Sequence, residues 1–163
     1  MTIAMTRDRA RARRGVRPVD RVPRNRGQVL TVLGALRADG TTVLATVDAG
    51  TSGPIFLAFV EQILAPQLRI DDIVVMDNLG AHRLPAVREA IKARGASIHW
   101  TPPYCPEFNA IEPYWAWLKH KLRSAKARTR DMLDQAIAAA DALLPSQHAM
   151  AWTRHCGYGG LRS

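Results

Sequence analysis

Two carboxylates stand out by what comes before them. Asp77 closes the wholly apolar run Ile73–Met76, and Glu112 follows a loop stiffened by Pro102, Pro103 and Pro106. The C-terminal ends of strands in an α/β sheet face the ligand crevice, so a carboxylate there is placed to bind a metal. Asp77-Asn78 is equally good turn chemistry. If Asn109 caps a helix, Glu112 occupies its third position, a common structural place for Glu. The proline loop tips the balance, because it fixes where that helix starts. Two-metal phosphoryl transfer needs such rigidly held oxygen ligands around ions about 4 Å apart, and carboxylate sites of this kind suit Mg²⁺.

The elements that must hold these side chains can be read from hydrophobic spacing. Gln28–Leu36 and Thr41–Val47 are β-rich apolar runs joined by Ala38-Asp39-Gly40, which predicts a hairpin. Ser52–Leu64 is expected to be a helix, capped by Ser52, with Phe56, Phe59, Val60 and Ile63 on one face. Ile73–Met76 has the composition of a strand buried on both faces. A helix over Leu84–Arg94, stopped by Gly95, and a short strand over Ser97–Thr101 follow. Asn109–Ala125 carries an apolar stripe of Ile111, Trp115, Leu118 and Leu122, and Asp131–Leu144 is a further helix ended by Pro145. The tail with Gly157, Gly159 and Gly160 is expected to fray. The fold class is thus α/β: a mixed sheet with flanking helices.

The two carboxylates are separated by 34 residues, within the words Asp77-Asn78-x-x-x-His82 and Pro102-Pro103-Tyr104-x-Pro106-x-Phe108-Asn109-x-Ile111-Glu112. Taken together, these words and this spacing resemble the catalytic domain of DDE-type transposases of the insertion-sequence 630, mariner-like group. The resemblance runs from about Gly27 to Tyr158. It implies an RNase H-like fold and metal-dependent DNA strand cleavage and strand transfer, with Asp77 and Glu112 as catalytic metal ligands. The cofactor would be Mg²⁺ or Mn²⁺. Asn78, His82 and Asn109 match positions that could support the site; His82 could equally cap or pack at a helix start. Cys105 and Ala110 stand where Ser and Pro are usual. Tyr104 could stack on a base or pack on the core, while Trp115 and Trp117 suit helix packing better than DNA contact.

One departure is larger. The group's first catalytic Asp lies on an opening strand in an Asp-Glu-Thr-like word, preceded by a helix-turn-helix region. No such word or strand occurs before Gln28, so the expectation is a partial domain over 28–158, with its first strand missing, between a basic arm (1–27) and a short tail (159–163). Asp8 and Asp20 fall in the arm. Asp48 follows a strand, but one three positions from the Asp77 strand, or roughly 14 Å away at about 4.8 Å per strand. A chain lacking the first Asp is expected to be inactive or nearly so alone. The alternative is a remnant that binds DNA or pairs with an intact or upstream transposase polypeptide; homo-oligomers are the rule in the group.

Charge placement agrees with a DNA partner. Of a net charge of +9, the first 30 residues hold nine Arg against two Asp, and residues 119–130 hold six basic side chains and no acid. Phosphates neutralised by such patches release counterions. Arg11, Arg13, Arg14, Lys119, Lys121, Arg123 and Lys126 are the candidate contacts, with binding that is electrostatic and not sequence-specific. Two distant cysteines, Cys105 and Cys156, make neither a zinc site nor a disulfide framework. No apolar leader or membrane-length run is present, so a cytoplasmic, nucleoid-associated protein is expected.

Overall fold

A computed structural model describes residues 1, 5, 6, 13–17, 19 and 29–158. Arg11, Asp8, Asp20 and the glycines of the 159–163 tail lie outside the described residues, as does most of the basic arm.

Strand β1 (Thr31–Leu36) pairs antiparallel with β2 (Thr42–Val47), Thr31 opposite Val47 and Leu36 opposite Thr42. The turn closes on Gly40 at φ +94°, with Asp39 Oδ1 accepting from the Thr41 backbone N–H at 2.8 Å. β1 starts three residues later than the apolar run suggested. Alternation places Leu33, Ala35, Ala45 and Val47 of this hairpin against one core, and Val32, Leu36 and Leu44 against another. The hairpin is therefore covered on both faces.

The first core is built with helix α1 (Gly53–Phe59), whose Phe56 and Phe59 are buried. The single helix expected over Ser52–Leu64 is not continuous. After Phe59 the coil widens into a π turn, Val60–Leu64, and then tightens into a 3₁₀ turn, Ala65–Gln67. Pro66 is the physical reason: it has no N–H, and its ring opposes the carbonyl four residues back. The Ala65 N–H reaches Val60 O instead. Ser52 has the extended dihedrals of a cap, but its side chain makes no capping bond.

Strand β3 (Ile73–Met76) runs parallel to β4 (Ser97–Trp100), Ile73 beside Ser97 and Met76 beside Trp100. Between them lies α2 (Pro85–Lys92), which buries Val87 and Ile91 and ends before Gly95 at φ +75°. Val74 and Met76 enter the first core, but Ile73 is 48% exposed. The expectation of burial on both faces thus holds for one face only. Among the described residues the strands form two separate two-stranded sheets, not one mixed sheet. Arg37, at the end of β1, bridges them. Its guanidinium grips both oxygens of Asp72 (3.1 and 2.6 Å) and donates to Gln67 O at 2.7 Å.

The second core joins α3 (Ile111–Ala125) and α4 (Arg130–Asp141) through Tyr114, Leu118, Leu122, Leu133, Ile137 and Ala140. Thr129 caps α4 by accepting the Met132 N–H at 3.2 Å. α4 ends at Asp141 rather than Leu144, and Leu143 is exposed. A helix not read from the sequence, α5 (Ser146–His155), follows Pro145 and buries Ala149. The described residues make a mixed α/β protein with small sheets and five α-helices.

Candidate active site

Asp77 is the first residue after β3, and its side chain is half exposed. Its Oδ1 accepts the Leu79 N–H at 3.1 Å, so it does close a turn. The same oxygen lies 2.6 Å from His82 Nδ1, an ion pair when the imidazole is protonated, and among the described residues His82 Nδ1 makes no hydrogen bond. The His82 ring packs on Phe56, with centroids 4.2 Å apart. Core packing therefore holds the imidazole against the carboxylate.

Asn78 is a brace. Its Nδ2 donates to Thr101 O at 2.6 Å, while the Thr101 N–H donates to Met76 O at 2.9 Å. The end of β3 is thereby tied to the start of the proline loop that leads to Glu112. Thr101 is the one polar residue buried among the described residues. Sequence reasoning passed it over, since a Thr ending a strand carries no signal of its own. At its far end the loop is held by Tyr158, whose hydroxyl donates to Phe108 O at 2.9 Å and whose ring meets His99 edge-on. Tyr158 was likewise missed, because the Gly-rich tail around it masks its role.

Glu112 sits in the first turn of α3, exposed, with no side-chain partner among the described residues. The N-cap of α3 is Ala110, which makes no side-chain capping bond, so Glu112 is the second helical residue and not the third. Asn109, extended, precedes the cap, its Oδ1 accepting from Ile111 N at 3.4 Å and its carbonyl from Glu112 N at 3.0 Å. Between the braces, Tyr104 is fully exposed with a left-handed φ of +60°. Of the two roles open to it, packing on the core is excluded. Trp115 and Trp117 pack around Tyr114 at 5.1 and 6.1 Å, as expected for helix packing.

Asp48 is engaged elsewhere. Arg130 forms an ion pair with it, a second with Asp134 at 2.7 Å, and a hydrogen bond to Thr46 Oγ1 at 3.2 Å. Arg130 is thus an internal hub rather than part of a free basic patch. Lys119 and Lys121 are exposed, as are Arg13 and Arg14, while Arg123 and Lys126 are half-buried and have partners.

The donor chemistry of Asp77 and Glu112 fits a hard divalent cation: two ionisable carboxylates, one fixed at a strand end and one unpartnered at a helix start. Among the described residues no group of three or more His, Cys, Asp or Glu side chains is gathered that could hold a metal ion. None of the described helices is long and apolar enough to cross a membrane. A family model described as DDE superfamily endonuclease matches residues 1–134, a stretch that includes both carboxylates, both ends of the proline loop and α2. No curated protein matches the chain.

Proposed function

The chain belongs to the DDE superfamily endonucleases, and from that premise we propose that it is the catalytic-domain portion of an insertion-sequence transposase of the mariner-like kind. It acts on DNA at transposon ends and target, and it assembles with further transposase polypeptide. The observation that carries this is the braced path from Asp77 to Glu112: a carboxylate at a strand end, Asn78 bonded to Thr101, and a proline loop leading into the helix that bears the second carboxylate.

In this proposal Asp77 and Glu112 hold Mg²⁺ or Mn²⁺. When bound, such ions activate water or a 3′-hydroxyl and stabilise the leaving oxygen of a phosphodiester. His82 orients Asp77, Asn78 and Asn109 fix the loop ends, and Tyr104 offers a face on which a base can stack. The two carboxyl groups must then approach one another. Mn²⁺ should broaden the NMR resonances of both Asp77 and Glu112; broadening of only one would sink the shared site.

A second role, DNA binding or pairing without cleavage, is favoured by the lack, among the described residues, of any group of three or more His, Cys, Asp or Glu side chains that could hold a metal ion. The RNase H-like arrangement calls for a further strand carrying another carboxylate, supplied from outside the described residues. Strand-cleavage assays with Mg²⁺ or Mn²⁺ separate the roles. The expected result is little cleavage by this chain alone, and cleavage by a version extended upstream with an Asp-bearing strand. Robust cleavage by the short chain, abolished by Asp77→Asn, would show that another group already completes the site.

A further inference from the structure

Helix α2 carries charge that neither the core nor the candidate site uses. Val87 and Ile91 face inward and are fully buried. On the outer side Arg83, Arg88 and Lys92 are exposed, and with Pro85 and Glu89 they line one shallow groove of about 300 Å³. Arg88 and Lys92 stand four residues apart, so they are neighbours on the helix surface, about 6 Å from one another. Like charges at that spacing mildly destabilise a helix. Lys92, in the last turn, complements the helix dipole only weakly at an exposed position, and no ion pair joins Arg88 or Lys92 to Glu89 among the described residues. By contrast Arg94, at the end of the helix, is anchored: its Nε donates to Ala65 O at 2.8 Å.

The position of the groove gives the surplus charge a direction. Arg83 directly follows His82, whose Nδ1 lies 2.6 Å from Asp77. From Pro85 to Lys92 the chain runs along one helix, rising about 1.5 Å per residue, or on the order of 10 Å in all, and Arg83 stands in the turn just before it. A strand of duplex DNA carries a phosphate about every 3.4 Å of axis. The row of cations therefore spans several phosphates and ends beside the carboxylate proposed to act on one.

We propose that the outer face of α2 and the turn before it form a binding track for the phosphodiester backbone of DNA, with Arg83, Arg88 and Lys92 as its contacts, leading the strand to Asp77. This rests on the DNA-cleaving function proposed above, and it adds a surface distinct from the basic arm and from α3.

The test measures binding of the whole chain to a short duplex across a salt series. Arg88→Gln with Lys92→Gln is compared with a control of equal charge, Arg69→Gln with Arg154→Gln. Both residues of the control pair are exposed and far from α2 in sequence. Each lost phosphate contact should lower the slope of log affinity against log salt by about 0.9. The α2 pair is expected to lose about 1.8 and the control less than about 0.5, with thermal midpoints unchanged or higher for the α2 pair. Adding Arg83→Gln should deepen the loss. Equal slopes for the α2 pair and the control, in a wild type that binds DNA, overturn the track alone. A wild type that fails to bind duplex even at the lowest salt overturns the track and the DNA-acting function together.

Discussion

Single residues in the site divide into those whose chemistry is replaceable for folding and those whose geometry is not. Glu112 is exposed and has no side-chain partner among the described residues, so Glu112→Gln should change stability by less than about 0.5 kcal/mol. Asp77→Asn keeps an oxygen that can accept from Leu79 N, and it too should fold. Each should nevertheless weaken Mn²⁺ binding at least tenfold in calorimetric titration, because a neutral amide is a poor ligand for a hard dication. Wild-type Mn²⁺ affinity in both variants would remove these carboxylates from the metal site. Tyr104 is a different case. Its side chain touches nothing the fold needs, yet its backbone holds φ at +60°, which costs a residue other than Gly roughly 1–2 kcal/mol. Tyr104→Gly should leave the denaturation midpoint the same or higher while weakening binding to DNA with unpaired bases. Tyr104→Phe should keep that binding, because stacking needs only the ring. A clear loss of stability in the Gly variant would mean that the loop depends on the tyrosine side chain after all.

Elements show where the sequence was legible and where it was not. Strand β3 was readable as a short, wholly apolar run, the helix that buries Val87 by the Gly95 stop after it, and the helix that buries Leu118 by an apolar stripe at the helical period. The break in α1 was not read, because the apolar face continues through it; Pro66 acts backwards along the chain, on bonds made before it. Helix α5 was missed because few of its residues are large and apolar. What joins the elements was legible only in three dimensions. Gly34 looks like a weak point in a strand, yet a Cβ there would stand 2.8 Å from the Trp115 ring and 2.6 Å from Leu44. Gly34→Val should therefore push α3 off the hairpin and cost about 1–3 kcal/mol in chemical denaturation. The Arg37–Asp72 clamp makes a pH-dependent prediction. The hydrogen bond from Arg37, above all, holds the Asp72 carboxyl below its usual range, against the opposing effect of burial. A depressed folded-state pKa gives stability that is present above the unfolded value, about 3.9, and is lost as pH falls through the folded one. Thermal midpoints measured downward from pH 5 should fall with acid. In Asp72→Asn the plateau should be lower and that part of the acid fall absent; an unchanged acid limb would show that the clamp contributes nothing.

At the scale of the whole molecule, each described sheet has two strands, and the β3–β4 pair keeps strand edges unpaired among the described residues. The hairpin is covered on both faces, by the core with α1 and α2 and by the core with α3 and α4. The β3–β4 pair contributes to the first core alone. Ile73, on its other face, is 48% exposed, and the two sheets are not hydrogen-bonded to one another among the described residues. Unpaired strand edges beside exposed apolar side chains are the ordinary template for strand addition or aggregation. A strand added along β3 would pair that edge, and a carboxylate at the matching level would lie about 4.8 Å from the Asp77 strand, close enough to share ions with it. The metal site and the open edge would thus be completed together, and their responses should be coupled. Adding in trans a peptide with an apolar strand and an Asp-Glu-Thr-like end should slow hydrogen exchange of the β3 amides, raise the thermal midpoint and strengthen Mn²⁺ binding, all over one concentration range. The same peptide with its Asp replaced by Asn should still protect β3 but leave Mn²⁺ binding weak. If the Asp peptide strengthens metal binding without protecting β3, the third carboxylate enters from somewhere other than this edge. If neither peptide protects β3, the edge is not where the sheet is completed.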